Sequence, residues 1–146
     1  MSLAQIVRPI SAPAAIAAAR QYRDADLGQR IAVATPHQLV AMLYAGGRDA
    51  LVAASKATRA DDAARRVAEA TRALRILDAL DGALDYGRGG AVAQALSTAY
   101  AQIRAITVAA NAERGIELFN AAAAQLGELG RGWSAIATGP NRRAAA

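Results

Sequence analysis

Residues Ala34 to Gly47 read ATPHQLVAMLYAGG, and this stretch decides the fold because it holds a helix start, an apolar face and two glycines in close succession. Thr35 can accept a hydrogen bond from an N–H of the first turn. Pro36 lacks the N–H that a first helical position leaves unpaired anyway, and Gln38 stands where a capping box needs it. A helix is therefore predicted from Pro36. Behind the cap, Leu39, Leu43, Gly46 and Ala50 follow the three-and-four spacing of one buried face, widened by Val40, Met42 and Tyr44. Gly46 and Gly47 each cost a helix about 1 kcal/mol against alanine. Glycines at that cost mark a close approach, either by a neighbouring helix or by a bound chain.

The rest of the chain sets the class. Its 146 residues suit one domain able to bury a core without metals or disulfides, and the absence of cysteine excludes a disulfide framework and a thiolate metal site. A reducing cytoplasm fits this composition. Arg8, Pro9 and Pro13 interrupt the start before a signal-peptide core forms, and no run approaches the length of a membrane span, so a soluble protein is expected. Alanine supplies 42 of the residues, which favours closely packed helices with shallow grooves. One Trp, one Phe and few β-branched runs argue against strands. The net charge of +5 comes from arginines scattered among acids rather than clustered with aromatics, which speaks against a nucleic-acid partner.

Periodicity predicts three more helices. After a first helix ending near Ala57, Thr58 to Asp62 forms a turn with Asp61 or Asp62 as the next N-cap. Val67, Ala70, Leu74, Leu77, Asp81 and Leu84 then repeat at three and four, with Ile76 and Leu80 alongside. Asp85 to Gly90 is predicted as a turn, followed by a stripe of Val92, Leu96, Ala99, Ile103, Ile106 and Ala110. Asn111 is expected to close that helix and cap the next. The last stripe is Ile116, Phe119, Ala123, Leu126, Gly130 and Trp133, and Gly139 and Pro140 are expected to end the regular structure. Four such helices with short connections make an all-α, antiparallel four-helix bundle over residues 34–135. Residues 136–146 read as a disordered tail. Residues 1–33 read as a mobile or loosely docked arm, with Ile16, Tyr22, Leu27, Ile31 and Val33 as anchors. Tyr22 suits an apolar pocket whose rim can satisfy its hydroxyl.

No catalytic constellation emerges. The single histidine, His37, lies in a first helical turn and reads as a solvated helix-end residue rather than a base. Asp61 and Asp62 suit a helix start, without the Glu-x-x-His motif of carboxylate metal bundles. Gly87 to Gly90 follows a helix and lacks the Gly-Lys-Ser/Thr ending of a phosphate loop. The expectation is a non-enzyme with no cofactor and no metal.

ATPHQLVAMLYAGG resembles the signature of the flagellar export chaperone family FliS, which runs Ala-Ser/Thr-Pro-x-x-Leu-x-x-Met-Leu-Tyr/Phe-Asp/Asn-Gly. Further pieces follow in order. Tyr22 precedes Pro36 as the family's N-terminal Ala-Tyr does, with Gln21 in place of the alanine. Leu84-Asp85 with Gly89-Gly90-Ala91-Val92-Ala93 is similar to the family's Leu-Asp-x-x-x-Gly-Gly-x-Ile-Ala turn. Tyr100, Ala110-Asn111 and Trp133 resemble landmarks of its last two helices. Departures are Ala45, where an acid or amide is usual, Gln102, where a second tyrosine often sits, and Ala105 and Ile106, where the family carries paired arginines.

The resemblance implies a cytoplasmic chaperone that binds the C-terminal segment of flagellin, prevents its polymerisation and delivers it to the flagellar type III export apparatus. The implied partner-binding residues are Tyr22, Ile31, Leu39, Met42, Leu43, Tyr44, Gly46, Gly47, Tyr100 and Asn111, and the N-terminal arm is expected to cover the apolar site until the client displaces it. Export-gate components and self-association of the free chain are open as further contacts, with no nucleic acid and no membrane insertion. The alternative is a helical adaptor or self-associating bundle for a non-flagellin partner.

Overall fold

The computed structural model describes Ser11, Pro13 and residues 35–145, with side chains of the last helix described as far as Ile136. Four helices follow one another: α1 (Pro36–Arg59), α2 (Ala63–Gly82), α3 (Tyr86–Glu113) and α4 (Ile116–Ala145). α1 packs along both α2 and α4, and α3 closes the ring more loosely against the same two. Cross-links fix the directions. Arg66 meets Asn111 at one end of α2 and Asp81 meets Ser97 at the other, while His37 meets Trp133 and Ser55 meets Asn120. Residue numbers rise on one helix as they fall on its neighbour, so the bundle is up-down-up-down, as expected.

The caps are local and match their sequence signals. The Thr35 hydroxyl accepts from the Gln38 N–H at 3.1 Å and the Gln38 side chain accepts from the Thr35 N–H at 2.9 Å, a complete capping box. Of the two candidate aspartates at α2, Asp62 is the cap, accepting from the Arg65 N–H, while Asp61 takes a left-handed conformation in the turn before it. Helix α1 runs on to Arg59, two residues past its expected end.

The segment expected as a turn after α2 is largely helical. Asp85 caps a turn beginning at Tyr86 by accepting from the Arg88 N–H, and the chain breaks only at Gly90, with φ 51° and ψ −123°. That backbone region is open essentially to glycine alone, so one residue carries the whole interruption. Asn111 does not cap α4. It lies within α3, which ends at Arg114 in the left-handed conformation, with the Gly115 N–H bonded to the Ala110 carbonyl. Helix α4 continues as helical backbone to Ala145, past Gly139 and Pro140. Pro140 removes one helical donor there, while its fixed φ suits a helix.

The core is filled by Leu43, Leu51, Ile76, Leu80, Ile103, Phe119 and Leu126, with alanines between them. Two stripes are rotated relative to expectation. Val67 is 45% and Val92 57% exposed; Ala70 and Ala110 face inward as expected, and Ala73, Ala93 and Thr107, which the stripes left out, join them. Large apolar residues suggested the buried face from sequence. In close-packed helices the narrow centre admits alanine instead, and the valines fall to the edge. Thr107 is accommodated by donating its hydroxyl proton to the Ile103 carbonyl.

Most of the arm lies outside the described residues. Its described tie to the bundle is the Ser11 N–H, which donates to the Ala83 carbonyl at 2.9 Å, beside the α2–α3 connection.

Candidate functional site: the α1–α4 groove

The signature stretch forms the first three turns of α1, and α4 lies against it. At its start, the His37 and Trp133 rings stack with centroids 4.2 Å apart and planes 14° from parallel. The Trp133 indole N–H donates to the His37 carbonyl at 3.0 Å. His37 is thus a packed residue rather than the solvated helix-end residue expected, because the indole of α4 covers its ring. Burial lowers its pKa, opposed by a backbone hydrogen bond at Trp133, and Nε2 has no partner among the described residues.

Two turns further on, Tyr44 is buried and its hydroxyl meets that of Tyr100 at 2.5 Å across the diagonal of the bundle. Burial pushes the Tyr44 phenol up to about 12. Burial also raises Tyr100, with neighbouring Tyr44 adding to the effect. Both phenols stay protonated near neutrality, so one can donate while the other accepts. Tyr44 fits because α4 carries Gly130 beside it: a Cβ there would come within 3.0 Å of the Tyr44 Cβ. Gly47 answers the question raised by the paired glycines. A Cβ at Gly47 would lie 2.7 Å from Leu126 Cδ2 and 3.1 Å from Ile76 Cγ2, so its close approach is to neighbouring helices.

The residues implied as partner contacts therefore divide. Leu39, Leu43, Tyr44, Gly47 and Tyr100 are buried in the bundle, while Met42 and Gly46 are half-buried on α1. Asn111 is half-buried at the other side of the bundle, accepting from the Arg66 Nε–H at 3.2 Å. Tyr22 and Ile31 lie outside the described residues.

An open groove of about 380 Å³ runs between the two helices, lined by Ala41, Tyr44, Ala45 and Arg48 from α1 and by Leu126, Gly127, Gly130, Arg131 and Ser134 from α4. Of the implied contacts among the described residues, only Tyr44 lines it. Ala45, a departure from the family pattern, is exposed along it. Gly127, Arg48 and Arg131 were missed by the sequence reading. The available signal was the small-residue spacing of Gly127, Gly130 and Ser134 on α4, which leaves a shallow trough on that face.

The family model for the flagellar protein FliS matches residues 18–140. The chain belongs to the FliS family. It is 30% identical to the flagellar secretion chaperone FliSB of Pseudomonas aeruginosa over 122 residues, covering 84% of this chain and 97% of that one. It is 26% identical to the flagellar secretion chaperone FliS of Salmonella typhimurium over 118 residues, covering 80% of this chain and 87% of that one. The FliS match takes in α1 to α3, α4 as far as residue 140, and the whole α1–α4 groove. Among the described residues no helix is long and apolar enough to cross a membrane.

Proposed function

We propose that this flagellar export chaperone binds the C-terminal segment of flagellin in the cytoplasm, keeps it from polymerising, and hands it to the flagellar type III export apparatus. The observation that carries the reading is the open α1–α4 groove, floored by small residues and Tyr44, in a FliS-family chain. A terminal segment that is disordered when free needs an apolar surface to fold against, and a trough between alanine- and glycine-rich helices accepts a docking helix closely. In this reading the N-terminal arm, with Tyr22 and Ile31 as its anchors, is the segment that the client displaces from the apolar site. Client binding must outweigh both the displacement of the arm and the entropy of ordering the client, and affinity reflects only that surplus. Components of the export gate receive the loaded complex.

Titration with intact flagellin and with flagellin lacking its C-terminal segment tests the reading. Binding to the first and not the second is expected. Equal binding to both, or binding to neither, removes it.

A further inference from the structure

Two guanidinium groups converge in the α1–α4 groove. A Cβ on Gly127 would lie 3.2 Å from Arg48 Cδ, 3.3 Å from its Nε and 3.5 Å from Arg131 Nη1. The absence of a side chain at Gly127 is what lets Arg48 of one helix and Arg131 of the other lie over the same spot. Among the described residues, none lining the groove is acidic. The described ion pairs join Arg72 to Glu69 and Arg104 to Asp78, and take in neither groove arginine. Two like charges brought together without a counter-charge repel, unless water screens them or an anion joins them. Both residues are exposed, so an incoming group can reach them.

We infer that Arg48 and Arg131 form a carboxylate clamp that reads an acidic side chain on the helical segment docking in this groove. Guanidinium forks pair with carboxylates in a planar, two-pronged geometry that lysine does not reproduce. Past the clamp the groove continues over Tyr44, Ala45 and Gly130 toward Ala41 and Ser134, about two turns of helix at 1.5 Å per residue. The occupant is thus an amphipathic helix, with small apolar residues against the glycines and an Asp or Glu near one end. A side-chain carboxylate fits better than a chain terminus, because the apolar floor must be covered by the same segment. The clamp sets register and orientation, which an apolar trough of alanines and glycines does poorly by itself.

This inference rests on the flagellin-binding reading, and the test separates the two. A labelled peptide of the flagellin C-terminal segment is titrated into the full chain and into Arg48→Glu and Arg131→Glu, at low and high salt. Each reversal is expected to weaken binding at least about tenfold and to reduce its salt dependence, with unchanged melting by circular dichroism because both side chains are exposed. Replacing one acidic residue of the peptide by lysine should restore affinity for the reversed variants. Amidating the peptide terminus should change nothing. Tight wild-type binding that both variants retain within twofold overturns the clamp and leaves the chaperone reading standing. Loss of affinity on amidation overturns the side-chain assignment, and no binding by the wild-type chain overturns clamp and client together.

Discussion

Tyr44 and Tyr100 show how one residue's role depends on its partner. Each phenol would be a buried, unpaired hydroxyl without the other, and leaving such a group unsatisfied costs about 1–3 kcal/mol. Tyr100→Phe should therefore destabilise the bundle by that order in urea unfolding, and adding Tyr44→Phe should cost less than the sum of the two single changes. Strict additivity would mean that the hydroxyls do not act as a pair. His37 makes a pH-dependent contribution with a definite sign. Its folded pKa lies below the ordinary 6.5, chiefly through burial, so the unfolded chain binds the proton first. Stability is full above about pH 6.5, falls as the pH drops toward the folded value, and levels off below it. His37→Phe, which keeps a ring against Trp133, should flatten that decline. A wild-type urea midpoint that is level from about pH 7.5 to 5 would contradict the assignment. None of these pairings was legible in the sequence, because Tyr44 and Tyr100, or His37 and Trp133, are separated by helices whose relative placement no local signal encodes.

At the scale of the element, starts were readable and interruptions only in part. The capping box at Thr35 and Gln38 involves atoms within one turn, so its chemistry is complete in the residues themselves. Thr35→Ala should cost about 1 kcal/mol in thermal or chemical unfolding. The Asp85–Gly90 run shows the opposite case. Three glycines suggested a turn throughout, yet the Asp85 cap holds Tyr86 and Gly87 in a helix and leaves the break to Gly90. No atom lies within 4 Å of where a Gly90 Cβ would be, so the strain of a substitution there is conformational. Gly90→Ala should destabilise by about 1–2 kcal/mol despite the open space, while Gly82→Ala, in ordinary helix with equally open space, should be neutral or stabilising. Equal effects at the two positions would mean that the backbone conformation of Gly90 carries no such strain.

At the scale of the whole molecule, α1 is the central element. It packs against α2 and α4 and sends Tyr44 across to α3, whereas α3 is held more loosely and is interrupted near its start. Amide hydrogen exchange should accordingly be slowest over Leu39 to Ala54 and faster in the first turns of α3. Faster exchange in α1 than in α3 would mean that packing between the helices does not set the order of opening. The residues of α1 set a capped start, much of the core and one wall of the groove together. The sequence by itself determined four helices, the α1 cap at Thr35, the alanine-rich close packing and the family pattern, since each depends on atoms within a turn or on spacing along one face. The tertiary structure decided the rest. It turned most of the signature's apolar residues inward, placed Gly47 against Ile76 and Leu126, and brought Arg48 and Arg131 together over Gly127. Such meetings depend on the rotation and registry of helices about their axes, which follow from how all side chains fill the shared core at once.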